Sequence, residues 1–417
     1  MLYQILKPIM KAALRLYYGR IVTQNLAVID NGQPTIILAN HTASFMDALV
    51  TACFIKRKIC FFTRGDVFGN RFVSWILHSL GMLPVYRLRE GREKLALNDH
   101  SNEEALKILA EGGAVLIFCE GASDIAKILK PLKKGPFRLA AKAMDLENRP
   151  VLIPLGINYE VPAKAFADVF IIAGNPIPSV PITEHTELER AKAATTMMRL
   201  TQQFLKPLVW DLADLERQFM FDFLLNTLKE VRPAYTFHES QLLTVSLNHI
   251  EQRQQDVLRC DMKEFQNWQR HYPVAASQFA PSLEWWEWLI LLLGWPLAII
   301  GYVGNFIPIK IANGITDNKV RERDFESAVF VSLATILTLI WYVFYTWLFF
   351  KTKLAPIPFH PILFLCGGWF YLKVFQPALF KFLGLYFRKS YRYKNSSYQL
   401  LEKVHQSLLE YVKKCIH

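Results

Sequence analysis

His41 and Asp47 are the residues of this chain best suited to moving a proton. They stand in Asn40-His41-Thr42-Ala43-Ser44-Phe45-Met46-Asp47, directly after an apolar run, 34–39, that reads as a buried strand. The histidine and the carboxylate therefore lie past a strand end, where the chain turns toward a helix starting near Asp47. In α/β folds that edge is the usual place for chemistry. An imidazole held by a carboxylate can take a proton from a hydroxyl near neutral pH. Taken alone, such a pair is more often a capping or turn feature than a catalytic one.

Three further segments change that balance. Gly81-Met82-Leu83-Pro84-Val85-Tyr86-Arg87 sets an arginine after a short apolar strand. Val115-Leu116-Ile117-Phe118-Cys119-Glu120-Gly121-Ala122-Ser123 is a strand ending in Glu-Gly. Val151-Leu152-Ile153-Pro154-Leu155-Gly156 is an apolar strand carrying a proline. In this order the four segments resemble the sequence blocks of the glycerolipid acyltransferases, which transfer a fatty acyl group to glycerol 3-phosphate or lysophosphatidic acid. The resemblance covers roughly residues 35–160.

The resemblance implies a fold and a set of roles. The fold class is α/β: an acyltransferase-type mixed sheet flanked by helices, with a helical insert and a C-terminal membrane-embedded helical region. His41 would be the general base and Asp47 its orienting carboxylate. Arg87 would hold the acceptor phosphate, and Glu120 and Gly121 would help bind the acceptor. The site would also include Ser123, Lys133 and Lys134, the two lysines drawing anionic substrate; solvated surface lysines are the equal alternative. The implied donor is acyl-CoA or acyl-carrier protein, and no metal or bound redox cofactor is implied. Two departures stand out. Five residues separate His41 from Asp47 where the family usually has four, so the loop must bulge for the carboxylate to reach the ring. Cys119 replaces the usual proline of the third block, and the arginine that often follows Glu-Gly is missing. Cys119 reads as a small buried residue, with a nucleophilic thiol as the alternative.

Composition frames the rest. The chain has 417 residues, 52% of them hydrophobic and 13% aromatic, with a net charge of +12. Its mean hydropathy of +0.16 is too apolar for an ordinary soluble protein and too polar for a bundle of spans alone. The basic balance suits an anionic phospholipid membrane. No nucleic-acid-binding signature accompanies it, so nucleic acid is not an expected partner. The six cysteines form no Cys-x-x-Cys pair, which fits a reducing compartment and a catalytic domain on the cytoplasmic face.

The expected organisation follows the chain. Residues 1–21 form an amphipathic helix, either lying on lipid headgroups or packed on the globular domain, kinked or restarted at Pro8. Residues 22–180 alternate strands (35–39, 58–62, 82–86, 114–118, 151–157, 168–173) with helices (47–55, 70–80, 103–111, 136–145). Residues 181–284 are helical: nearly continuous over 183–231 with a break near Pro207, then a pair over 238–271. Phe219, Phe221 and Phe223 are expected in its core. Residues 285–385 hold apolar runs at 288–309, 327–350 and 354–372. Glycines and prolines in the first run, and the basic segment 310–326, leave it open as a span or a re-entrant hairpin. Residues 386–417 read as a basic amphipathic tail. Arg64 and Asp66 read as a structural ion pair, or as a pair near the site.

Overall fold

The computed structural model describes residues 2–86, 97–184, 186–271, 283–320, 323–352, 360–383 and 396–416. The chain divides into two compact units, the first formed by Met1–Asp211 and Glu322–Ala328, the second by Leu212–Arg321 and Val329–His417.

The first unit is built on seven strands: β1 (Ile21–Gln24), β2 (Thr35–Ala39), β3 (Ile59–Arg64), β4 (Met82–Val85), β5 (Ala114–Phe118), β6 (Val151–Tyr159) and β7 (Val169–Ala173). Their order across the sheet is β1-β7-β6-β2-β5-β3-β4. Every neighbouring pair is parallel except β6 and β7, which makes the sheet mixed. β2 is central, with Ile36 paired to Val115 on one side and Leu152 on the other. All five of its residues are buried, as a strand covered on both faces requires. Because β2, β3, β5 and β6 run the same way, the segments after their C-terminal ends share one edge of the sheet. His41, Glu120 and Glu160 follow the ends of β2, β5 and β6, and Arg64 is the last residue of β3.

The helices of this unit are α1 (Leu2–Tyr17), α2 (Phe45–Phe54), α3 (Arg71–Ser79), α4 (Leu97–Ala110), α5 (Lys134–Ala143) and α6 (Glu187–Leu205). α5 and α6 cover one face of the sheet, where Phe137, Ala140, Met144 and Met197 join Ile36, Leu38 and Val115 in one buried cluster. α1 is continuous through Pro8, without a restart there. Its Lys7 ammonium donates to the carbonyls of Ile55 and Lys56 at 2.5 and 2.9 Å, so it neutralises the C-terminal end of α2. Leu14 is fully buried, and the Tyr3 hydroxyl donates to Ala52 O. The helix is thus packed on the globular unit along that face.

β1 was missing from the sequence expectation. It is four residues long and lies at the edge of the sheet, too short for an alternation to be read. Arg20, just before it, forms a 2.6 Å ion pair with the buried Asp168, which holds the strand against β7. Over 183–231 the break falls at Pro207 as expected, but helix starts only at Glu187 and the gap after the break is longer. After α6 a 3-10 turn over Lys206–Leu208 leads into non-helical chain, and helix resumes only at Leu215. Leu208 lies on β6 at Gly156, where an added Cβ would come 2.0 Å from the Leu208 carbonyl oxygen. Asn158 fixes the same stretch, donating to Leu208 O and accepting from Trp210 N.

The second unit holds α7 (Leu215–Val231), α8 (Phe237–Asn248), α9 (Gln252–His271), α10 (Trp285–Leu293), α11 (Trp295–Lys319), most of α12 (Arg323–Thr352), α13 (His360–Phe370) and α14 (Ser396–Ile416). Phe221 is buried in it as expected, whereas Phe219 is half exposed, on the other side of its helix. Residues 396–416, expected as part of a basic tail, form a helix whose Leu408 and Val412 are fully buried; residues 384–395 lie outside the described residues.

Three helices, Trp295–Lys319, Phe325–Leu348 and Ile362–Leu383, are long and apolar enough to cross a membrane. Of the two readings of 288–309, the re-entrant hairpin is not what forms. The run breaks at Gly294, and α11 then continues for 25 residues through Gly301, Gly304 and Pro308 without reversing. Pro308 has no N–H for the carbonyl of Gly304; the Trp341 indole N–H donates to that carbonyl instead, at 3.1 Å. Residues 353–359, the proline-rich start of the third run, lie outside the described residues.

Gly301 lets α11 and α13 touch backbone to backbone, since a Cβ there would sit 2.0 Å from the Gly367 carbonyl carbon. Gly301→Leu should therefore lower the thermal stability of the detergent-solubilised protein, with a cost of at least about 2 kcal/mol. Gly314→Leu, where a Cβ meets nothing within 4 Å, should leave the melting curve nearly unchanged. Equal melting curves for the two variants would refute this packing.

Candidate active site

The site begins where β2 ends. Asn40 donates to Ile157 O and accepts from Ile157 N, both at 2.8 Å, so its amide side chain extends the β2–β6 ladder and fixes the turn that follows. Ser44 takes φ 49°, a conformation costly for a residue with a Cβ. Ser44 is the residue before α2, which starts at Phe45.

Asp47 lies in the first turn of α2 and is fully buried. Its Oδ2 accepts from the His41 ring at Nδ1, 2.9 Å away, and from the backbone N–H of Ala43 at 2.8 Å. The positive end of the helix favours negative charge at this position. Phe118 stacks flat on the imidazole, with ring centroids 4.1 Å apart and planes 10° from parallel. The carboxylate and the phenyl ring together fix the tilt and rotation of His41. With Nδ1 engaged, Nε2 is the nitrogen left for a substrate.

His41 opens on a small cleft whose other walls include Glu120, Lys127, Asn158, Tyr159 and Trp210. Glu120 is buried, and its carboxylate accepts from the backbone N–H of His41 at 2.9 Å and of Lys130 at 3.3 Å. It therefore ties the His41 turn to the loop after β5. Burial pushes its carboxyl up to about 7, against the opposing pull of those two N–H groups and of the His41 and Lys130 charges. Gly121 follows at φ 71°, beside the Lys133 side chain.

The other expected site residues are placed unequally. Lys133 and Lys134 are exposed at the start of α5, and Ser123 is half buried in the loop after β5; none of the three is a wall of the cleft. Arg87 lies outside the described residues. Arg64 and Asp66 form a 2.6 Å pair at the surface, after β3. Cys119 is fully buried, and burial pushes its thiol far above the ordinary range, which excludes it as a nucleophile.

Sequence reasoning missed four contributors: Asn40, Lys127, Tyr159 and Trp210. Lys127 is buried and donates to Glu160 O at 2.7 Å, with its ammonium 5.7 Å from the Trp210 ring. Tyr159 is fully buried at the end of β6, and burial together with the Asp47 charge drives its hydroxyl well above the usual range. Asn40, beside the histidine, carried a readable signal. Trp210 carried none, because the fold brings it to the cleft from a distant part of the chain.

The acyltransferase family profile matches residues 20–158, which contain His41, Asp47 and Glu120. Curated relatives agree. A chloroplastic 1-acyl-sn-glycerol-3-phosphate acyltransferase of Brassica napus is 26% identical over 109 residues, covering 26% of this chain and 30% of the relative. One from Chlamydomonas reinhardtii is 28% identical over 111 residues, covering 27% and 31%. Residues 20–158 thus match the acyltransferase family model. Among solved structures, the 1-acyl-sn-glycerophosphate acyltransferase PlsC from Thermotoga maritima aligns with a TM-score of 0.35 and 20% identity, over 48% of this chain and 78% of that one. The acyltransferase segment spans about a third or less of the length of the curated relatives it matches.

Proposed function

We propose that this chain is a membrane-bound O-acyltransferase that moves a fatty acyl group from a thioester, acyl-CoA or acyl-carrier protein, to the free hydroxyl of lysophosphatidic acid. Glycerol 3-phosphate is the second acceptor, and the names of the relatives favour the first. The observation that carries the reading is the 2.9 Å contact between His41 and a fully buried carboxylate, on a ring that faces a cleft.

In the proposed reaction Nε2 of His41 accepts the proton of the acceptor hydroxyl as its oxygen bonds to the thioester carbonyl carbon. Asp47 holds the ring through Nδ1 and stabilises the imidazolium that results. The tetrahedral intermediate collapses, the carbon–sulfur bond breaks, and the imidazolium returns the proton to the departing thiolate. Arg87 and the cleft's Lys127 are assigned to the acceptor phosphate. Glu120 acts by positioning His41 rather than by touching the proton in flight. The three apolar helices hold the enzyme in the bilayer, and the catalytic domain lies on the cytoplasmic side, where soluble thioesters are.

The test uses purified full-length protein in detergent, labelled acyl-CoA, and glycerol 3-phosphate or lysophosphatidic acid in separate reactions. Labelled phosphatidic acid from lysophosphatidic acid, with no product from glycerol 3-phosphate, is the expected result. Product from glycerol 3-phosphate alone would move the step one acylation earlier. No product from either acceptor, with acyl-carrier protein also supplied as donor, would overturn the reading.

A further inference from the structure

Large apolar side chains that stay exposed are unevenly distributed over the first unit. Among its described residues they are Ile5, Val67, Phe72, Trp75, Ile125, Val161, Phe166 and Leu188. All but Ile5 and Leu188 lie in the segments that follow β3, β5 and β6, on the sheet edge that carries His41. α3 is the extreme case. It has no buried residue at all, although five of its nine residues are Phe72, Val73, Trp75, Ile76 and Leu77. Phe72 is 69% exposed and Trp75 62%, and their rings stack 6.4 Å apart. Phe166 is held outward at φ 64°, a conformation that bulky residues rarely adopt.

Charge on the same edge is basic. Arg71, Lys133, Lys134 and Lys164 are exposed there, while Asp66 and Asp124 are each engaged by a cation, Arg64 and Lys130. Tryptophan and phenylalanine flanked by lysine and arginine is the composition that settles at the headgroup boundary of an anionic bilayer. A bilayer is also within reach, because the same chain carries three helices able to cross one.

We infer that the edge of the sheet carrying His41 is a membrane-docking face, with Phe72 and Trp75 as its principal anchors and the loops at Ile125, Val161 and Phe166 completing the contact. An amphiphilic acceptor would then reach His41 sideways from the lipid without passing through water. This last step rests on the acyl-transfer reading; the docking itself does not.

The experiment reconstitutes the full chain in vesicles of phosphatidylcholine and phosphatidylglycerol containing a phospholipid with a diazirine in its acyl chain. After irradiation, adducts are mapped by peptide mass spectrometry. Adducts on segments 65–75 and 160–166, besides those in the apolar helices, are expected. Adducts confined to 283–383 would overturn the proposal, and they are also what a face covered by a carrier protein would give. A second arm uses Phe72→Ser with Trp75→Ser. Labelling of segment 65–75 should fall, and KM for a long-chain acceptor in vesicles should rise about tenfold. Turnover of a short-chain, water-soluble acceptor should stay within about twofold. An equal loss on both acceptors would place these residues in the site rather than on the membrane and would overturn docking. If neither acceptor turns over, the acyl-transfer reading fails and the labelling arm alone decides.

Discussion

His41→Ala should lower kcat for acyl transfer by about 10³-fold while changing KM little, because the imidazole acts on a proton that moves only in the transition state. Asp47→Asn keeps the volume and can still accept from His41 and Ala43, but it no longer balances an imidazolium. A fall in kcat of about 10²-fold or more is expected. The two residues act as one unit, so the double variant should be scarcely worse than His41→Ala. Steady-state kinetics of the three proteins, with circular dichroism to show that each is folded, checks this. Losses that multiply in the double variant would sink the dyad, since independent residues combine that way. Retention of near-full activity in His41→Ala would remove the general base altogether.

The parts of this molecule that could be read from sequence are those where local chemistry and the tertiary fold agree. β2 is a continuous apolar run because both of its faces are covered, and its bounds, 35–39, match the expectation. His41 and Asp47 were legible because the turn and the first turn of α2 bring them together within one short segment. The chain between them turns through the positive φ of Ser44. What could not be read depends on long-range approach. Trp210 enters the cleft only because Gly156 admits the turn at Leu208, and Asn158 holds it there. The passage of α11 through Pro308 depends on an indole N–H from a different helix. A proline in an apolar run reads as a break unless such a donor is known to be present. Exposure of α3 was equally hidden, because its apolar periodicity is also that of a helix packed on a core.

Glu120 should give the other large effect, and pH separates its two parts. Its carboxyl titrates near 7 in the folded protein, against an ordinary value of 4.5, because it is buried. The folded state therefore holds this proton more tightly than the unfolded state does. The resulting stabilisation is fully present below 4.5, falls as pH rises from 4.5 to about 7, and is absent above that. The change is of order 3 kcal/mol. Glu120→Gln cannot titrate, so this slope should vanish from its denaturation profile. The amide also has only one acceptor oxygen for the two backbone N–H groups of His41 and Lys130, and leaving one unmatched costs about 1–3 kcal/mol. The variant should consequently be less stable than the wild type by the widest margin near about pH 5, and the gap should close toward about pH 8. Because the N–H at risk belongs to His41, the proposed general base, kcat should fall about 10- to 100-fold with KM little changed. Parallel denaturation profiles for the two proteins across this pH range would show that the carboxyl titrates elsewhere. A loss of acceptor binding with kcat intact would return Glu120 to the substrate-contact role that the sequence resemblance implied.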